Sequence, residues 1–257
     1  MSEPKSSREQ FAPVAAAYLT SDAHARPDEI GEIVSEFVTQ PGRFLDVGTG
    51  AGHMAFALAP KATSVVAFDL TPEMLDVVAE EAERRSLTNI QTCQGLAEHM
   101  PFADESFDGV ACRVAAHHFR HVEAFVAEVR RVLAPGGWFI LIDTVSPEES
   151  DADAELNKFE TLRDPSHFRN WRPSEWRKFV ADNGMTVVAE NVGAKRMDFD
   201  AWLDRMRVPA ERRTEIESMV WTPGVLADVI RPRVHEGARS FELPEYVMVA
   251  RAASTFS

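Results

Sequence analysis

Five short strand-forming runs alternate with segments of helical period over the first 145 residues, and this alternation constrains the fold class more than any single motif. The runs are RFLDVG (43–48), SVVAFD (64–69), NIQTCQ (89–94), FDGVACRV (107–114) and GWFILIDTV (137–145). Between them, Leu75, Val78, Ala79 and Ala82 recur at helical spacing within 72–86, and Val122, Phe125, Val126 and Val129 repeat it within 121–133. Thr71 suits an N-cap and Pro72 a first helical residue. APGG at 134–137 stops the second helix. Strands that alternate with helices build βαβ units and a parallel sheet. A run as apolar as FILI suits a strand covered on both faces. The first 145 residues therefore read as a doubly wound α/β core.

The flanks read differently. Residues 1–10 are polar and expected to fray, and 11–40 carry a helical pattern with Pro27 as a helix start. After Val145 an acidic stretch predicts one helix and an exposed loop before a helix at 174–183. MTVVAENV (185–192) reads as a strand. Residues 198–232 read as short helices broken at Pro209, Pro223 and Pro232, and FELPEYVMVARA (241–252) as a final strand.

A formal net charge of −14 argues against a nucleic-acid partner, which needs clustered Lys and Arg. No apolar run approaches the ~18 residues of a membrane span. MSEPKSSREQ lacks the apolar centre of a signal peptide, so the expected location is cytoplasmic. Cys93 and Cys112 are too few for a disulfide framework or a zinc site, and no metal is expected. They fall on the third and fourth strands. With two strands between them in a 3-2-1-4-5 sheet, their separation of about 14 Å predicts two free thiols.

The first strand runs into glycines at 48, 50 and 52, with Thr49 among them. Clustered glycine costs conformational entropy, and a ligand approaching the backbone is the usual reason for it. The dinucleotide fingerprint G-x-G-x-x-G would need glycine where His53 stands. Asp46 closes the first strand and Asp69 the second, where an acid accepts hydrogen bonds from ribose hydroxyls. A ribose-bearing cofactor over these strand ends is the reading; a tight turn with no ligand is the plain alternative.

LDVGTGAGHMA, VVAFDLTPEML, AEHMPFADESFD and VRRVLAPGGWFILID together resemble the successive motifs of class I S-adenosylmethionine-dependent methyltransferases, in particular the ubiquinone/menaquinone-biosynthesis type with its type 11 domain. The resemblance is close over about residues 40–145 and loose elsewhere. It implies that S-adenosylmethionine is the cofactor and S-adenosylhomocysteine the product. It further implies that Asp46 and the glycine loop face the methionine part, that Asp69 binds the ribose, and that Leu70 and Met74 flank the adenine. Such relatives usually read Gly-Asp-Ala where this chain reads GLA (95–97). Leu96 cannot accept a hydrogen bond, so Glu98, the backbone of Ala97 and Glu98, or apolar packing must hold the adenine.

Methyl transfer is an in-line displacement that mainly needs a close, aligned nucleophile, with a base only if the acceptor must lose a proton. Arg113, His117 and His118 follow the fourth strand, where open α/β sheets bind ligands. Arg113 is assigned to the cofactor, and the histidines are candidates for a base or an acceptor-orienting pair. Helix capping and core packing are their plain alternative. His99, His121 and His53 read as surface or helix residues. In LRDPSHFRNWR (162–172), Arg163, His167, Arg169 and Arg172, with Phe168 and Trp171 between them, could close over an anionic or aromatic acceptor. A solvated loop paired with Glu160, Asp164 and Glu175 is the competing reading. Tyr18, Ser21 and His24 resemble residues of leading helices that cover the cofactor in similar enzymes.

The expected architecture is a single α/β domain with a Rossmann-like, mostly parallel sheet of about seven strands in the order 3-2-1-4-5-7-6, helices on both faces and a helical lid. Residues 1–40 form a helical cover, 41–145 the cofactor-binding core, and 146–257 a substrate-side half with a helical insertion. The expected function is methyl transfer to a small molecule. A non-catalytic S-adenosylmethionine-binding protein and, less favoured because of His53, an NAD-dependent oxidoreductase are the rivals.

Overall fold

Four consecutive buried residues, Phe44 to Val47, make strand β1 (Arg43–Val47) the centre of the sheet. The computed structural model describes residues 6–15, 19 and 27–254. β1 pairs in parallel with β2 (Ser64–Asp69) on one side and β4 (Phe107–Arg113) on the other. β3 (Ile90–Gln94) lies outside β2, and β5 (Leu133–Thr144) outside β4, both parallel. Beyond β5, β8 (Ala238–Ala252) runs antiparallel and pairs on its far side with β6 (Met185–Asp198). The order is β3-β2-β1-β4-β5-β8-β6, with β7 (Arg233–His235) paired to β8 as an eighth strand. Apart from that added strand, this is the expected order.

Alternation along each strand separates two apolar layers. Leu45, Val47, Val66 and Phe68 point into one, against α5 (Val122–Val132) and α7 (Pro173–Asp182). Phe44, Val65 and Ala67 point into the other, against α2 (Pro27–Phe37), α3 (His53–Leu58) and α4 (Pro72–Arg84). A third cluster lies where β6 and β8 extend past the rest of the sheet. There α6 (Ser150–Arg163), α8 (Phe199–Arg205), α9 (Ala210–Trp221) and α10 (Val225–Ile230) surround Met197, Phe241 and Leu243. Phe159 stacks on Trp202 at 4.8 Å between centroids. Cys93 and Cys112 are free, as the strand order requires.

Four expectations are corrected. Ser7–Phe11 is a helix, α1, held by a reciprocal capping box between Ser6 and Glu9, so residues 6–10 are not frayed. Thr71 stands at the N-cap of α4, but its hydroxyl serves Asp69 and makes no capping bond. The APGG run ends α5 yet already belongs to β5, with Gly136 at φ +74°. The segment after α6 is not an exposed loop. Asp164 and Asn170 are 3% and 1% exposed, because Asn157 of α6 accepts from the Asn170 amide and the His117 carbonyl accepts from those of Phe168 and Arg169. β7 was not anticipated. It is the first arm of a hairpin that turns on Glu236 and Gly237, both at positive φ, the backbone that tight two-residue hairpin turns require.

Candidate active site

The carboxyl ends of β1, β2 and β4 open into one cavity of about 740 Å³, the position at which open α/β sheets bind ligands. Gly48, Gly50 and Gly52 all take positive φ, which a side chain rarely tolerates. A Cβ on Gly48 would lie 2.5 Å from that of Ala115, whereas one on Gly50 would meet nothing within 4 Å. Gly48 therefore lets the loop turn beneath the residues after β4, and Gly50 leaves open space. The Gly48 and Thr49 amides donate to the Phe68 carbonyl, and the Gly50 amide donates to Asp69 Oδ2 at 2.9 Å. Asp69 Oδ1 accepts from the Thr71 amide at 2.8 Å. The loop and the second acid are thus one hydrogen-bonded unit.

Asp46 is 1% exposed. Its Oδ2 accepts from the Thr49 hydroxyl at 2.6 Å and the Ala55 amide at 3.0 Å, while Oδ1 is buried without a partner among the described residues. Burial pushes the Asp46 carboxyl up to about 7, against those two bonds and the nearby Arg113 charge. Burial also raises Asp69. A buried carboxylate with one oxygen unsatisfied suits a cationic ligand group, which would restore its ionised form. The two carboxylates therefore fit a ligand carrying an ammonium near Asp46 and hydroxyls near Asp69.

Asp46, Gly48, Thr49, Gly50, Asp69 and Arg113 line this end of the cavity, with Leu70, Met74, Leu96, Ala97 and Glu98 around its side wall. Gly52 does not line it; it is the N-cap of α3, at φ +88°. Leu96 is 53% exposed, an apolar side chain facing open space.

The other end is a histidine cluster. His117, His118 and His167 all line the cavity, with ring centroids 4.2 Å apart for the first pair and 5.5 Å between His117 and His167. His117 Nδ1 lies 2.6 Å from Asp143 Oδ1, and the His117 amide donates to Asp143 Oδ2 at 3.1 Å. His118 Nδ1 lies 3.1 Å from the Ser166 carbonyl, and the Ser166 hydroxyl donates to Asp164 at 2.7 Å. The two rings are driven apart. Burial disfavours the His117 cation, but the charge and hydrogen bond of Asp143 outweigh it and raise His117 above its ordinary value. Burial and the neighbouring His117 charge lower His118 to about 4. Burial also holds His167 well below its usual range.

The remaining expected residues divide. Arg163 lines the cavity, but its guanidinium stacks over Trp202 at 4.6 Å and donates to the Trp202 carbonyl. Arg169 and Trp171 do not line it. Arg169 pairs with Asp153 at 3.0 Å and with Glu175, and Trp171 packs against Phe179. Tyr18, Ser21 and His24 lie outside the described residues. His99 and His121 are exposed, and His53 opens α3. The sequence reading missed Asp143, which closes β5 as Asp46 and Asp69 close β1 and β2; that recurrence was the available signal. It also missed Phe11, whose ring meets His118 edge-on at 5.1 Å. Among the described residues no group of three or more His, Cys, Asp or Glu could hold a metal ion.

The methyltransferase domain family matches residues 45–141. YcgJ, an uncharacterized methyltransferase of Bacillus subtilis (strain 168), is 35% identical over 207 residues, covering 80% of this chain and 82% of that protein. Its crystal structure superimposes with a TM-score of 0.81 at 31% identity, over 88% of this chain and 99% of that one. A crystal structure from Bacillus halodurans C-125 gives 0.83 at 35% identity, over 89% and 99%. The demethylmenaquinone methyltransferase of Chlorobaculum parvum is 29% identical over 167 residues, 61% of this chain and 67% of that protein.

Proposed function

We propose, from the premise that the chain belongs to the S-adenosylmethionine-dependent methyltransferases, that its cavity holds the cofactor at the glycine-loop end and a small-molecule acceptor at the histidine end. The observation that carries this reading is the continuity of the cavity from the open oxygen of Asp46 to the His117 ring. S-adenosylmethionine supplies an electrophilic methyl group on a sulfonium with a neutral thioether as its leaving group. Asp46 would pair with the amino-acid ammonium, Asp69 would accept from the ribose hydroxyls, and Leu70, Met74 and Leu96 would pack the adenine. Phe11, edge-on to His118, and Phe168, whose amide donates to the His117 carbonyl, line the histidine end and favour an acceptor with an apolar ring. The relatives named for demethylmenaquinone support the same class.

The net charge of −14 supports an acceptor other than nucleic acid. No helix among the described residues is long and apolar enough to cross a membrane, and two free thiols fit a reducing cytoplasm. Titration with S-adenosylhomocysteine and with NADH, followed by a search for one-methyl mass gains in a metabolite mixture, tests the reading. Binding of NADH alone would sink it.

Two substitutions probe the cofactor end. Asp69→Ala removes the ribose acceptor and the anchor of the Gly50 and Thr71 amides. It is expected to weaken S-adenosylhomocysteine binding by about 1.5–3 kcal/mol. Unchanged affinity in a folded variant, read by calorimetry, removes Asp69 from the site. Leu96→Asp places a carboxylate at a half-exposed position, where it can accept a hydrogen bond from the adenine amino group. The expected result is affinity equal to or tighter than wild type. A large loss with the fold intact would put the adenine elsewhere.

A further inference from the structure

Two adjacent histidines of one sequence motif occupy different environments, and the difference assigns them different work. Asp143, at the end of β5, accepts three hydrogen bonds: from the His117 amide, from the Thr144 amide at 2.8 Å, and from His117 Nδ1. Both amides are fixed donors, so the carboxylate cannot turn away from the ring. Its position requires the proton of a neutral His117 to sit on Nδ1, which leaves the Nε2 lone pair free. Nδ1 is the ring atom committed to Asp143, and Nε2 has no hydrogen-bond partner among the described residues. His118 is tied instead to the Ser166 carbonyl through Nδ1, with Nε2 4.0 Å from Asp164.

We propose that Asp143 is a positioning residue that holds His117 with Nε2 open to the cavity, where it takes the proton that a hydroxyl acceptor loses on methylation. This rests on the acceptor lying at the histidine end. The O–H bond breaks as the acceptor oxygen bonds to the methyl carbon. The electron pair of the C–S bond stays on sulfur, and the proton resides on Nε2 until solvent removes it. A hydroxyl needs such a base near neutral pH, because its own anion is scarce there. His118 contributes a neutral wall.

The groups facing His117 are Asp143 from β5, Glu160 from α6, Asp164 and His167 from the segment after α6, and His118 beside it. Three acids surround the ring, and only Asp143 touches it with a hydrogen bond. The buried Glu160 carboxyl is itself raised by burial, which weakens its share of that field. Removing the Asp143 charge should therefore lower the His117 titration point.

Nitrogen-15 spectra of the histidine rings in the wild-type protein without cofactor test this, with His117→Gln used to assign the signal. The expected result is the Nδ1–H form for neutral His117, titrating above His118. In Asp143→Asn the His117 titration point should fall by about 1–3 pH units, the usual effect of an adjacent opposite charge. Asp143→Glu should recover part of it. An Nε2–H form in the wild type, or titration of His117 below His118, overturns the proposal whether or not the variants fold. So does an unmoved titration in a folded Asp143→Asn. Calorimetry with S-adenosylhomocysteine on the same sample separates the two levels. Absence of binding overturns the reading beneath the proposal, whereas normal binding with the wrong ring form overturns the dyad alone.

Discussion

His117→Ala is expected to lower turnover by about 10²–10⁴-fold, the usual contribution of a positioned general base. Cofactor affinity should barely change, because Asp46, the glycine loop and Asp69 belong to β1, β2 and their loops. The sign of the pH dependence follows from the environment. A base must be neutral, so activity is lost as pH falls through the His117 titration point, which Asp143 raises above the ordinary histidine value of ~6.5. His118→Ala should behave differently. A ring held neutral down to about 4 is a weak base near neutrality, and its loss should mainly raise KM. Steady-state assays of both variants across pH with the true acceptor decide the matter. If His117→Ala keeps wild-type turnover and pH profile, proximity alone carries the chemistry.

Gly48→Ala should be the most damaging single-methyl change in the cofactor loop. The residue sits at φ +66°, and its new Cβ would lie 2.5 Å from that of Ala115. Left-handed backbone costs an alanine about 1–2 kcal/mol, and overpacking adds about 1–3. A stability loss of roughly 2–5 kcal/mol is therefore expected, with weaker cofactor binding as the loop shifts. Gly50→Ala is the internal control. It shares the positive φ but meets no atom within 4 Å, so it should cost only the backbone part. Denaturant midpoints of the two variants check this. Equal losses would show that contact with Ala115 is not what makes Gly48 necessary.

Much of the fold was legible because its central strands are buried on both faces, so their apolar runs stand out from the helices between them. Asp46, Asp69 and the glycine loop were legible for a related reason: their residue types conflict with the strand and helix they join. The histidine end was half legible. His117 and His118 stood out by residue type, but Asp143 lies 26 residues away, and only the pairing of β4 with β5 brings it to the ring. The segment after α6 misled because its charges read as solvated. Asp153 pairs with Arg169 and Arg172, and Asp164 accepts from the Ser166 hydroxyl, so polar composition coexists with burial. Cations interleaved with aromatics suggested an acceptor site in the same segment, and the ion pairs with Asp153 are what take Arg169 and Arg172 away from it. The β7 hairpin was missed because Pro232 reads as a helix breaker, although Glu236–Gly237 carried its turn.

The place of β8 between β5 and β6 has a consequence for synthesis. β8 is translated after every strand it joins, yet it pairs with β5, β6 and β7. From the time β5 leaves the ribosome until β8 follows, the outer edge of β5 has no native partner. Roughly 90 residues separate the two, and at 5–20 residues per second this lasts about 5–20 s. The β5 run Trp138 to Ile142 is wholly buried in the finished sheet. During that interval it is an unpaired apolar edge, the kind of surface that recruits other chains. The nascent protein therefore needs either an escort or helices α6 to α10 as a temporary cover, and chains stalled before residue 238 should aggregate rather than accumulate as partly folded enzyme.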